Sequence, residues 1–70
     1  MKRREVIKRI SKQAKADGVD FDLKREGGSH SVYDLGGCMI PIPRHNEINE
    51  MTARGIFIEA EEVFGKDWWR

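Results

Sequence analysis

Apolar residues recur along this chain with two periods, and the switches between them mark out the elements. Between Lys2 and Ala16, Val6, Ile7, Ile10 and Ala14 fall on one helical face, while Arg4, Lys8, Lys12 and Lys15 form a basic stripe elsewhere. Asp17-Gly18 ends this helix, with Gly18 suited to a left-handed cap. Val19, Phe21 and Leu23 then alternate with Asp20, Asp22 and Lys24, the period of two of a half-buried strand. Glu26-Gly27-Gly28 predicts a hairpin connection in which adjacent glycines supply positive φ. The second strand runs from about Ser29 to Leu35, where Val32 and Tyr33 are both apolar and alternation does not decide the buried face. Gly36-Gly37 makes a second tight turn into a third strand, Cys38–Pro43.

Pro41 and Pro43 are two positions apart, so their missing N–H groups fall on the same side of that strand. A central strand does not tolerate this; an edge strand does when that side faces solvent. Arg44 to Ile48 is a polar connector. A second helix follows over Asn49 to Phe64, with Asn49 as N-cap and Gly65 as the stop. Its core stripe is Ala53, Ile56, Phe57, Ala60, Val63 and Phe64. The expected fold is α+β in the order α-β-β-β-α, a three-stranded antiparallel meander with two helices on one face.

Length and charge narrow the picture. Seventy residues make a single domain, 1–70, with 66–70 as a C-terminal tail. At this size folding removes only about 60% of the unfolded chain's surface, so the core is small. The net charge is only +1, yet residues 1–15 carry seven Lys/Arg against one acid, a local +6. Residues 36–70 carry four basic and six acidic side chains, a local −2. A dipolar domain of this kind can hold a phosphate backbone at its basic end and another partner elsewhere; the plainer alternative is a solvated basic helix face. The lone cysteine, Cys38, excludes an internal disulfide framework and fits a reducing cytosol. No apolar run approaches a membrane span, and a cytoplasmic location without membrane attachment is expected.

Four short strings occur in order: Lys2-Arg3-Arg4-Glu5-Val6-Ile7 in the basic helix, Gly28-Ser29-His30 after the glycine turn, Ile40-Pro41-Ile42-Pro43 in the edge strand, and Thr52-Ala53-Arg54-Gly55-Ile56-Phe57 in the last helix. Together they resemble the HicA family of toxin–antitoxin proteins, over most of the chain. Double-stranded-RNA-binding domains share the predicted architecture, an analogy of fold alone. Many family members carry a second histidine directly after the first, where this chain has Ser31. The tail Lys66-Asp67-Trp68-Trp69-Arg70 is an addition to the family pattern.

The resemblance implies a metal-independent endoribonuclease, an mRNA interferase, silenced by a HicB-type antitoxin and working without a cofactor. RNA carries its own nucleophile in the 2′-OH, which needs only deprotonation and alignment with the adjacent phosphorus. An imidazole titrating near neutral pH can move that proton, so His30 is the catalytic candidate. The backbone N–H groups of Gly28 and Ser29 can help hold the phosphate. Lys24, Arg25 and Arg44 are the nearer phosphate contacts, with Arg4, Lys8 and Lys12 as an outer track. His30 and His45 stand fifteen apart with no repeated carboxylate spacing, so no metal site is indicated. His45 reads as a solvated loop residue, Cys38 as a packing residue, and Tyr33 as either a base-stacking or a core side chain.

Met51 and Ile58, seven apart on the face opposite the core stripe with Gly55 between them, suggest a surface for the antitoxin or a second copy. The Trp68-Trp69 pair can stack on a base, but fits better as a cover for the open end of the core or as an anchor for a partner. The free toxin is expected to be a monomer. A function of another class stays open: a non-catalytic RNA-binding module that uses the same fold only to dock.

Overall fold

A computed structural model describes residues 1–70. Helix α1 spans Arg3–Asp17 and buries Val6, Ile10 and Ala14, with Ile7 half-buried beside them. No side chain caps its start. Instead the Asn46 carbonyl accepts from the Arg3 N–H at 2.8 Å, so the connector satisfies one of the unpaired amides of the first turn. Gly18 takes φ +68°, and the Val19 N–H returns to the Ala14 carbonyl, closing the helix in a Schellman arrangement.

Strands β1 (Phe21–Glu26), β2 (His30–Leu35) and β3 (Cys38–Pro43) pair antiparallel in the order β1-β2-β3. The edge position expected from the prolines is therefore where β3 lies, with Ile40 and Ile42 buried and Pro41 exposed. Ser31 and Leu35 are buried and Tyr33 is half-buried, which settles the face of β2: these three point to the helices. His30, Val32 and Asp34 point to the uncovered face. Leu23, in the core-facing phase of β1, stays 50% exposed at the sheet's edge.

The two hairpins are built differently. Gly36 and Gly37 take φ +55° and +94°, the left-handed pair that a two-residue connection needs. Gly27 and Gly28 do not take positive φ, contrary to the expectation for that turn. Gly27 is required for proximity: its N–H donates to the His30 carbonyl at 2.8 Å, and an added Cβ would lie 2.8 Å from that oxygen. The register of β1 on β2 also slips between Leu23 and Arg25, a bulge that leaves Lys24 unpaired.

Helix α2 covers Glu50–Glu59, with Asn49 Oδ1 accepting from the Thr52 N–H at 2.8 Å, as its sequence position predicts. The single helix expected to continue to Phe64 is divided: Ala60 forms a turn and α3 spans Glu61–Phe64. The Phe57 carbonyl, which would take the Glu61 N–H in an unbroken helix, instead accepts the Trp68 indole N–H at 2.9 Å. The core stripe survives this break, since Ala53, Ile56, Phe57 and Ala60 are all buried and Val63 and Phe64 pack against them. The helices thus cover one face of the sheet, and no helix is long and apolar enough to cross a membrane.

Candidate functional site

His30 opens β2, where the polypeptide leaves the Gly27–Ser29 bend, and its side chain is exposed on the face away from the helices. The Ser29 hydroxyl lies 3.1 Å from Nδ1, leaving Nε2 without a protein partner. Whichever tautomer that contact selects, one ring nitrogen stays available to a ligand. The N–H groups of Gly28 and Ser29 are likewise unpaired within the chain. Arg44 brackets the bend from β3's end: its amide donates to the Ser29 carbonyl at 3.1 Å and its Nη1 to the Gly27 carbonyl at 2.9 Å. One imidazole, two free amides and one guanidinium therefore meet around a turn open to solvent.

Behind this turn, on the helix side of the sheet, lies a polar chain that sequence reasoning did not single out. Ser31 is fully buried, the one polar residue of the core. Its hydroxyl donates to the Glu26 carboxylate and accepts from Arg3 Nη2 at 2.9 Å. Arg3 Nε donates in addition to the Pro43 carbonyl at 2.8 Å. Ser31 follows His30 and Pro43 pairs across from it, so the Arg3 fork ties α1 to both strands that hold the histidine. The bulge at Lys24 is what makes this possible. In unbroken register Arg25 would stand opposite Ser31; with the extra residue Glu26 does, and Arg25 pairs with Val32 on the outer face. Glu26 also lies 3.9 Å from Arg44 Nε, which completes the link back to the bend.

The remaining basic candidates divide into two groups. Lys24 and Arg25 are exposed on β1. Arg4 lies instead on α1, with Lys2, Arg3 and Asn46 around a polar hollow of about 370 Å3. Lys8 and Lys12 line a larger groove of about 780 Å3 whose far wall is Trp68 and Trp69. His30 lines neither. His45 is exposed in the connector, and no three His, Cys, Asp or Glu side chains gather as a metal-holding group. Tyr33 stacks on Phe21, ring centroids 4.9 Å apart, on the helix side of the sheet, which places it in the packing rather than beside His30.

The Cys38 thiol lies 3.8 Å from a Glu62 carboxylate oxygen. Burial first, and that negative charge second, push its pKa up, so it stays a protonated packing group at neutral pH. Two carboxylates shift the other way. The N-terminal amine and Lys2 hold Glu47 down, and the Asp67 N–H and Trp69 indole hold Glu61 down.

On α2, Met51 is 84% and Ile58 48% exposed, and Gly55 between them has nothing within 4 Å of where a Cβ would sit. Trp68 and Trp69 are half-buried over Phe57 and Phe64, so they do cover the core's open end. No family model, curated protein or solved structure matches this chain.

Proposed function

We propose that the chain is a HicA-type toxin: a cytoplasmic, metal-independent endoribonuclease that cleaves mRNA and is silenced by a HicB-type antitoxin protein. The observation that carries this reading is the setting of His30, an exposed imidazole with a free Nε2 beside the unpaired amides of Gly28 and Ser29. In the reaction the 2′-OH gives up its proton and its oxygen attacks the adjacent phosphorus. The bond from phosphorus to the 5′-oxygen breaks, and that oxygen leaves as a hydroxyl after gaining a proton. The products are a 2′,3′-cyclic phosphate and a 5′-hydroxyl end, and water can open the cycle to a 3′-phosphate. His30 serves as general base or acid, while the two amides and Arg44 face the negative charge that builds up on the phosphoryl oxygens.

Ser31 supports a second reading. Where the family pattern has another histidine, this chain has a buried hydroxyl held between Arg3 and Glu26, so no second imidazole stands next to His30. A docking module would need none. Expression of the wild type and His30→Ala in bacteria separates the two. The toxin reading expects growth arrest and broken transcripts from the wild type, and cleavage reduced by about 10²–10⁴-fold in the variant. Equal cleavage by both removes His30 from the chemistry. Wild type that binds RNA and cuts none selects the docking module.

A further inference from the structure

A groove of about 780 Å3 lies on the helical side, between α1 and the tail. We propose that it is a binding site for single-stranded RNA, the stretch of substrate that flanks the cut; the proposal rests on the reading that RNA is the substrate. One wall carries Lys8 and Lys12, exposed, one helical turn apart, and without any carboxylate within ion-pair distance. Like charges at that spacing oppose helix formation unless an anion lies across them. The other wall is Trp68 and Trp69, anchored in place by Phe57 and, through the Trp69 carbonyl, by Arg9 Nη2 at 3.0 Å. Half-buried indoles beside exposed lysines suit a ligand in which bases alternate with phosphates, and single strands present both. A base that stacks on Trp69, on which Phe57 also stacks, takes the place of the Arg70 guanidinium, 5.0 Å from the ring centroid. The volume, about 780 Å3, is in the range of sites that take a ligand of one to a few rings.

The groove adjoins the basic start of α1. Lys2 lines both this groove and the smaller hollow of Arg3 and Arg4, and the Arg3 guanidinium reaches Ser31, the neighbour of His30. Lys2 is paired with Glu47, and Glu5 and Glu50 also line the groove. His30 lies on the opposite face of the sheet, so the groove is separate from the imidazole. An acidic peptide matches the charge, but the indoles beside the lysines favour a ligand that carries bases.

Trp68 and Trp69 are the chain's only tryptophans, so fluorescence reports directly on the groove. The experiment titrates a ten-nucleotide, fully 2′-O-methylated oligouridylate, which cannot be cut, into wild type, Lys8→Gln/Lys12→Gln and His30→Ala, with circular dichroism confirming that each is folded. The expected result is saturable quenching for wild type and His30→Ala, and about tenfold weaker binding for the double variant. Its log–log salt slope should also fall by about 1.4, two phosphate contacts' worth for a single strand. Unchanged affinity and slope in the double variant overturn the proposal, as does tighter binding of a ten-residue polyglutamate than of the RNA. Wild type that binds here but cleaves no transcript leaves the groove standing and removes the nuclease. Cleavage of transcripts by a wild type whose binding ignores Lys8 and Lys12 does the reverse.

Discussion

Arg3 makes two bonds that no other side chain in the molecule can replace. Its Nε and Nη2 reach the Pro43 carbonyl and the Ser31 hydroxyl together, a fork geometry that a single ammonium cannot reproduce. Hydrogen bonds from a charged donor contribute about 1.5–3 kcal/mol, and here one acceptor is fully buried. Arg3→Lys should therefore lower stability by roughly 1.5–3 kcal/mol. The check is the urea midpoint at unchanged slope. A loss under about 0.5 kcal/mol, the scale of an ordinary surface change, would show that the fork holds nothing.

None of this was legible from residue types, because Arg3 is one of seven cations in the first fifteen residues and nothing in their spacing marks it. Ser31 was visible only as a departure from a family pattern. Its burial follows from sharing a strand face with Tyr33 and Leu35, which the adjacent apolar Val32 and Tyr33 left undecided. His30, by contrast, was placed correctly on the bend, since glycines before a polar strand start leave few other conformations. The same glycines misled in detail: Gly27 serves a close approach to the His30 carbonyl and not a positive φ.

At the scale of elements, periodicity did well wherever the chain obeys it. The stripe through Ala53, Ile56, Phe57 and Ala60 was read directly, and two prolines at alternate positions announced the edge strand. Two irregularities escaped. The bulge at Lys24 exchanges Arg25 for Glu26 opposite Ser31, and the turn at Ala60 follows from a tryptophan eleven residues from the carbonyl it takes. Both depend on side chains remote from the local pattern. The exposed face of α2 makes a prediction of its own. Gly55 is helical and meets nothing, so Gly55→Ala should stabilise the isolated chain by about 0.5–1 kcal/mol. For a domain of this size that is a rise of a few degrees in the thermal midpoint, readable by circular dichroism. If a protein partner brings its backbone against this position, the same substitution weakens their association. A thermal midpoint that falls would mean that the fold itself needs the glycine, and that no partner is required to account for it.

At the scale of the whole molecule, residues 66–70 complete the packing of the core. With eleven buried apolar residues the core is small, and Trp68 and Trp69 lie across its open end against Phe57 and Phe64. Besides that packing, the Phe57 carbonyl and Arg9, Glu61 holds the tail. One of its carboxylate oxygens accepts from both the Asp67 N–H, at 3.0 Å, and the Trp69 indole, at 2.9 Å. Those two donors favour the charged form and hold its pKa below that of the unfolded chain. The stabilisation is therefore complete above the ordinary glutamate pKa, about 4.3, and is lost as pH falls from there through the lower folded value. Glu47 is held down too, by the N-terminal amine and Lys2, so an acid transition of the wild type alone does not isolate the tail. Glu61→Gln does, because its amide oxygen can still accept but has no proton to gain. Tryptophan emission should shift toward that of exposed indole as the wild type is acidified below about pH 4, and the shift should be smaller and begin at lower pH in Glu61→Gln. Coincident acid profiles for the two proteins would mean that Glu61 does not hold the tail, and that the aromatic packing alone closes the core.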